Sequence, residues 1–375
     1  MKVAIVTDQL NRWGGAEYMV RVISDVFPQA PIYTSVADKD FVDTNFPDKQ
    51  IKKTFVQLLP FRKRLHDEYI PLYPVAFRLL NFKKYDVVIS VSAAFSKFIK
   101  TGRRTKHLSI CLTPPRFLWS PKTRSKSKEN KFTYKIYKAL FENRMHERLR
   151  KQDKRAIERA DKVVSISEEV AKRVKKHYRV DSDVIYPPVE VSEIEPNTDI
   201  KVRGECFLYF GRVETYKGVE LAIKACIAAE KKLIVAGTGS DLQRMQELVM
   251  QHQAENLIKF EGFVSESKKI SLFQKSRALI YPVRDEDFGI VPVEANAAGC
   301  PVIAYRGGGV VETLSENNPR TAVFFDDYTE EALEKILRNF GRYKIIPQNC
   351  RKQANNFARE IFEYKIKTLV EDIYH

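Results

Sequence analysis

Glu286 and Glu294 stand with seven residues between them in the run Tyr281-Pro-Val-Arg-Asp-Glu-Asp-Phe-Gly-Ile-Val-Pro-Val-Glu-Ala-Asn-Ala-Ala-Gly299. The apolar residues 278–281 that lead into it read as a strand. Pro292 suits the first turn of a helix and Gly299 its C-terminal stop, so the pattern predicts a helix over about 291–298, entered through a loop at 284–289. One carboxylate then lies in the loop and the other in the first helical turn. The amides of Phe288, Gly289 and Ile290 would point out of the helix start, where anions and oxygen-rich ligands bind. Exposed amides and two acids at a strand end suit a ligand rich in hydroxyls and phosphate. On these residues alone, an ordinary connection with acids placed for the helix dipole is an equal reading.

A second group supplies the opposite charge. After the apolar run 206–210 comes Gly211-Arg-Val-Glu-Thr-Tyr-Lys217-Gly218. Gly211 allows a tight turn, and Arg212 and Lys217 bring two cations to a helix start. That is a sensible receptor for a diphosphate. Gly14-Gly15-Ala16-Glu17 lies between a strand at 2–7 and a helix at 16–26. Two glycines there would let backbone approach a ligand closely. Gly237-Thr-Gly239 repeats the theme more weakly.

The stretch from Glu286 to Glu294, continued by Ala295-Asn-Ala-Ala-Gly-Cys-Pro-Val-Ile-Ala304, resembles the E-x7-E signature of the family 4 retaining glycosyltransferases. Its E-D-F-G-I-x-P-V-E-A form is similar to mannosyltransferases that build bacterial surface polysaccharides. The resemblance covers almost the whole chain. It implies the α/β GT-B fold, two Rossmann-like domains facing across a cleft, with a C-terminal helix crossing back to the N-terminal domain. It implies that Arg212 and Lys217 neutralise a departing diphosphate beside Gly211. Glu286, with the amides of Phe288 and Gly289, would hold the sugar's hydroxyls, Glu294 the ribose, and Ile290 would belong to the same donor-binding loop. Backbone around Gly262, Phe263 and Val264 would hold the base. Gly14, Gly15 and Glu17 would lie near the donor diphosphate and the acceptor. The expected donor is GDP-mannose and the acceptor a lipid-linked saccharide. A UDP-glucose or UDP-N-acetylhexosamine donor is the alternative. The chain departs from the family at Leu112, where a histidine usually precedes Thr-Pro and contacts the donor sugar. Leucine cannot donate that hydrogen bond, so a nucleotide-sugar binder without turnover is a further reading. His107, five residues upstream, is a poor substitute, and Arg116 is a phosphate ligand or a surface arginine.

The elements that must carry these groups alternate strand and helix in two series, which argues for two parallel-sheet domains. The first has strands at 2–7, 85–91, 107–111 and 161–167, with a helix expected over 92–100 and another over 168–177 capped by Ser167. Pro187 and Pro188 stiffen an extended exit, and 190–203 is polar like a linker. The expected division is 1–188, an acceptor-binding domain, and 189–354, a nucleotide-sugar-binding domain. A helix at about 355–375 is expected to return to the first, within an amphipathic helical stretch over 351–375. Residues 307–309, Gly-Gly-Gly, read as a flexible turn.

A chain of 375 residues, 44% hydrophobic, can bury two cores. Five scattered cysteines lack metal-ligand spacing, so no disulfide framework and no zinc site are expected. No apolar stretch approaches a membrane span, and residues 1–9 read as a strand rather than a signal peptide, so a cytoplasmic protein is expected. No Asp-x-Asp metal signature stands at a strand end, which fits a reaction without a metal ion or other cofactor. The net charge of +16 is uneven: residues 121–155 hold thirteen Lys/Arg against four Asp/Glu. Phe132, Tyr134, Ile136, Tyr137, Leu140 and Phe141 interleave there. The stretch is either an amphipathic helix resting on anionic lipid at the inner face of the cell membrane, or a solvated helix packed on its own domain. A nucleic-acid partner is disfavoured, because no basic-aromatic module accompanies the charge.

Overall fold

A computed structural model describes residues 1–60, 69–120, 132–197, 199 and 203–375. It divides into two compact units, residues 1–188 with 362–375, and residues 189–361.

Among the described residues the first unit holds seven strands: β1 (Val3–Leu10), β2 (Ile32–Ala37), β3 (Ile51–Lys53), β4 (Val87–Ser92), β5 (Lys106–Cys111), β6 (Lys162–Ser165) and β7 (Asp183–Val184). They pair in the order β3-β2-β1-β4-β5-β6-β7, and each pairing is parallel. Parallel strands need crossovers, and helices on both faces explain why β4 is buried at all six positions. The order reverses between β1 and β4, which leaves a crevice at the carboxyl ends of those two strands. Ser167 caps the helix Glu168–Tyr178 by accepting from the Val170 amide, as its sequence position predicts.

The stretch 92–100 is not the expected helix. Only a 3-10 turn, Ser96–Phe98, forms there. The reason lies in β1. The Asp8 carboxylate accepts the amides of Ala93, Ala94, Phe95 and Ser96 at 2.6–2.9 Å, which satisfies the donors that a longer helix would have left open. Below it, Lys97 and Asp153 form a fully buried ion pair at 2.8 Å. Asp153 also accepts from Trp119 at 2.8 Å and Tyr178 at 2.7 Å, so one carboxylate ties three helical segments to its own helix, Phe132–Ile157.

The second unit holds β8 (Phe207–Phe210), β9 (Leu233–Ala236), β10 (Ile258–Gly262), β11 (Leu279–Tyr281), β12 (Val302–Tyr305) and β13 (Ala322–Phe325). Their order is β10-β9-β8-β11-β12-β13, again parallel throughout. Its core joins Phe207, Tyr209, Ile280, Ile303 and Val323 of the sheet to Ile223, Met245, Leu333 and Leu337 of the helices. The reversal of order here falls between β8 and β11.

The stretch 351–375 is not one helix. It comprises the end of the helix Pro347–Ala354, a 3-10 turn Asn355–Phe357 and the helix Arg359–Tyr374. At the break the backbone turns to Val189 instead: the Val189 amide donates to the Phe357 carbonyl and the Arg359 amide to the Val189 carbonyl. The basic stretch 121–155 contributes to the helix Phe132–Ile157. Residues 121–131 and the side chains of Phe132 through Phe141, on which its lipid-facing reading depends, lie outside the described residues. Among the described residues no helix is long and apolar enough to cross a membrane.

Candidate active site

Two of the three predicted catalytic residues, Lys217 and Glu286, touch where the second sheet reverses, and Arg212 stands on the same loop as Lys217. The loop after β8 runs Gly211–Gly218 and contains a 3-10 turn, Thr215–Lys217. The loop after β11 leads to the helix Ile290–Ala297, capped by Gly289. Strand order sets β8 beside β11, so these two loops are neighbours although 69 residues separate Lys217 from Glu286. Lys217 Nζ donates to Glu286 Oε2 at 2.9 Å, with side chains 21% and 15% exposed. The buried Tyr281 hydroxyl, at the end of β11, donates to the same oxygen, and the Asp287 amide donates to Oε1 at 3.2 Å. Burial pushes the Glu286 carboxyl up, but the Lys217 charge, the Tyr281 hydroxyl and the amide together hold it below the ordinary value. It is therefore a carboxylate at neutral pH, an acceptor with two oxygens.

Arg212 is exposed, and its guanidinium lies 5.5 Å from the centre of the Tyr216 ring. The Lys217 ammonium lies 5.6 Å from the same ring. Tyr216 thus keeps the two cations together with an aromatic surface, a favourable arrangement for positive charge. The Tyr209 hydroxyl donates to the Arg212 carbonyl at 2.9 Å and fixes the loop's course.

Glu294 is the fifth residue of its helix, because the helix begins at Ile290, one residue earlier than the pattern predicts. It therefore sits just past the first turn. Its side chain is 18% exposed and accepts from Lys269 at 2.9 Å. Burial pushes the Glu294 carboxyl up, and the Lys269 ammonium pulls it back only part way. Phe288 points its ring into the core against Phe357, 5.5 Å between centroids, so only its backbone can serve a ligand. Gly262 ends β10 in a left-handed conformation, and its carbonyl accepts from the Gly237 amide at 2.7 Å. Phe263 beside it is 85% exposed, and Val264 is half-buried.

Two glycine turns act as moulds for these loops. A methyl on Gly237 would meet the Gly211 carbonyl oxygen at 1.9 Å, and one on Gly239 the Val213 carbonyl oxygen at 2.2 Å. The Gly237–Gly239 turn is thus a backing for the cation-bearing loop. Residues 307–309 are likewise packed rather than flexible. A methyl on Gly308 would meet the Glu286 carbonyl oxygen at 2.3 Å, and one on Gly309 the Asp287 carbonyl oxygen at 2.5 Å. The Gly309 amide donates to the Glu286 carbonyl at 2.9 Å, which holds the acidic loop from behind.

In the first unit, Gly14 caps the helix Gly15–Val26 with extended backbone, and a methyl there would meet Glu17 Oε2 at 3.1 Å. Burial chiefly, with the charge of Asp8, pushes Glu17 up to about 7. Leu112 follows β5 half-buried, its amide donating to the Ser92 carbonyl. His107 does not replace the missing histidine. It is buried in the sheet with Nε2 2.8 Å from Ser90 Oγ, and burial lowers it to about 4. Arg116 begins the short helix Arg116–Trp119 and is half-buried.

Sequence reasoning did not single out Tyr281, Tyr216 or Lys269. Tyr281 closes an apolar run and reads as its last core residue. Lys269 belongs to a Lys-Lys doublet on an amphipathic helix and reads as solvated charge. Only the packing shows that one is the support of Glu286 and the other the partner of Glu294.

Comparison with known proteins gives the family and the fold. The family model described as "Glycosyl transferases group 1" matches residues 190–357, and "Glycosyltransferase Family 4" matches residues 13–193. Human alpha-1,3/1,6-mannosyltransferase ALG2 is 27% identical over 329 residues, which span 77% of this chain and 74% of that protein. The O-antigen chain mannosyltransferase RfbU of Salmonella typhimurium is 31% identical over 216 residues, 56% of this chain and 58% of that protein. Among solved structures, HepE of Anabaena in complex with UDP superposes with a TM-score of 0.71 at 17% identity, over 99% of this chain and 100% of that one. Sucrose-phosphate synthase of Thermosynechococcus elongatus gives 0.73 at 17% identity, over 100% and 99%. At that identity the structures show the fold, which is GT-B, two Rossmann-like domains. The two family models together span residues 13–357, and the chain belongs to glycosyltransferase family 4, close to its mannosyltransferases. It is a glycosyltransferase enzyme.

Proposed function

We propose that this glycosyltransferase moves a hexose, mannose from GDP-mannose, onto a lipid-linked saccharide in surface-polysaccharide synthesis, with retention of anomeric configuration. The observation that carries the catalytic part is the Lys217–Glu286 contact at the reversal of the second sheet. As the bond between sugar and diphosphate breaks, negative charge grows on the leaving phosphate. Lys217 and Arg212 meet it with no metal ion. Lys217 is already oriented by Glu286, which Tyr281 holds in turn, so little reorganisation is needed when the charge appears. Glu286, kept ionised, accepts hydrogen bonds from sugar hydroxyls together with the amides of Phe288, Gly289 and Ile290. Two of its donors crowd Oε2 and leave Oε1 the freer oxygen for this task. Glu294 takes the ribose hydroxyls, and backbone at Gly262, Phe263 and Val264 the base, beside the turn at Gly211. Gly14 and Gly15 enter on the family resemblance alone. The choice of mannose is supported by the names of ALG2 and RfbU and by the Glu286-Asp-Phe-Gly-Ile290 run. The acceptor and a cytoplasmic location at the inner membrane face are parts of the same reading.

Leu112 favours one competing reading, a protein that binds nucleotide sugar without turning it over. Release of nucleoside diphosphate from GDP-mannose, UDP-glucose and UDP-N-acetylglucosamine, with and without added membranes and in EDTA, separates the two. GDP release that depends on membranes and survives EDTA is expected. Binding without turnover under every condition removes the catalytic reading, and turnover of a UDP sugar alone moves the donor. Glu286→Ala is expected to lower transfer by at least about a hundredfold while nucleotide affinity stays within about threefold. Unchanged transfer would take Glu286 out of its role.

A further inference from the structure

Lys269 is a buried charged residue of the second unit with no part in the reaction proposed so far. It is the fourth residue of the helix Glu266–Lys275, which begins directly after Phe263-Val264-Ser265 and is capped by the Ser265 hydroxyl. Its side chain is 9% exposed, an unusual place for lysine. Its ammonium lies 2.9 Å from Glu294 Oε1, 2.6 Å from Glu266 Oε1 and 6.0 Å from the centre of the Phe210 ring. Glu266 is 72% exposed and reaches in from solvent, so the buried partnership is the one with Glu294.

Three segments converge on this ammonium. Phe210 ends β8 just before Gly211, Glu266 opens the helix that follows the base-holding segment, and Glu294 stands on the helix of the E-x7-E run. A lone carboxylate this buried would turn away to find a donor or give up its charge. A lysine on one oxygen opposes both, sets its rotamer and leaves Oε2 open for a diol. We propose that Lys269 is the positioning residue for ribose recognition: held between Glu266 and Glu294, it aims the Glu294 carboxylate at the vicinal hydroxyls of the donor nucleotide. This rests on the ribose role given to Glu294 above, and it adds a residue that ties the segment holding the base to the group holding the sugar of the nucleoside.

The test is discrimination between ribose and deoxyribose. Calorimetric titration of the full chain with GDP and with 2′,3′-dideoxy-GDP, or with the UDP pair if UDP binds more tightly, measures the preference for the diol. Hydrogen bonds to a charged group predict a wild-type preference of about tenfold or more. In Lys269→Met the preference is expected to fall below about threefold, with affinity for the dideoxy nucleotide unchanged within about threefold. Lys269→Arg is expected to recover part of it. Lys269→Gln, which keeps a polar head and adds no apolar strain, covers the case in which the methionine variant does not fold, and the same collapse is expected. A lysine that merely stabilised the fold would lower both affinities together and leave their ratio alone. A wild-type preference that persists in the methionine or glutamine variant overturns the role of Lys269. Absence of any preference in the wild-type protein overturns the ribose role of Glu294 itself, and the inference with it.

Discussion

Gly308→Ala tests whether the triple glycine shapes the acidic loop. Gly308 has φ +69°, and a methyl there would lie 2.3 Å from the Glu286 carbonyl oxygen and 2.7 Å from its nitrogen. Carbon contacts relax at about 3.5 Å, so the loop must retreat by roughly 1 Å. Left-handed backbone costs alanine about 1–2 kcal/mol, and forcing a methyl into a filled space about 1–3 kcal/mol more. The sum is about 2–5 kcal/mol, and at about 2–4 °C per kcal/mol for a unit of this size the melting temperature should drop by roughly 4–20 °C. A 1 Å displacement of a substrate-holding group is also of the order that costs a hundredfold in rate. Gly262→Ala is the stability control: its φ is +65°, but nothing lies within 4 Å of the added methyl, so it carries the backbone strain alone. Thermal melts of both variants separate crowding from strain. Turnover of Gly308→Ala, read well below its melting temperature, should fall by about 10–100-fold with GDP affinity held within about threefold. If Gly308→Ala melts with Gly262→Ala and turns over like the wild type, the mould argument is wrong.

Two more perturbations address the first unit. Lys97→Met leaves Asp153 without its cation in a site where both side chains are fully buried, and should cost about 3–5 kcal/mol in denaturant unfolding, whereas a loss under about 1 kcal/mol would mean that Trp119 and Tyr178 suffice. Glu17 is raised from 4.5 to about 7, so its folded form binds the proton more tightly, and its contribution to stability is whole below pH 4.5 and lost as pH climbs through 7. Glu17→Gln should therefore match the wild type at pH 4.5 and exceed it at pH 8, by at most about 3 kcal/mol; equal melting at both pH values would refute the shift.

Local chemistry explains what was legible. Alternating apolar runs and helical stretches announce two parallel sheets, because a strand covered on both faces is buried throughout and so mostly apolar, as β4 is. Pro292 and Gly299 mark the ends of the helix Ile290–Ala297 to within a residue, because a helix start tolerates a missing amide and a helix end favours left-handed glycine. Ser167 caps its helix because the needed donors lie three residues away. Where a local pattern met a distant partner, it lost. The helix expected over 92–100 gave way to the Asp8 carboxylate, 85 residues upstream of the first amide it accepts. The helix over 351–375 broke where Val189 offered its backbone.

By itself the sequence determined the family, the two-sheet fold and the positions where cations and acids stand, since these depend on residue type and on spacing within a strand-loop-helix unit. Tertiary structure alone decided which of them touch. Strand order places the loops after β8 and β11 side by side and so joins Lys217 to Glu286; it also turns Tyr281 and Lys269, unremarkable in the chain, into the supports of the two glutamates. The physical reason is that pairing in a parallel sheet is set by crossovers between distant segments, and a side chain's charge has no fixed meaning until packing settles how much water and which partner it keeps.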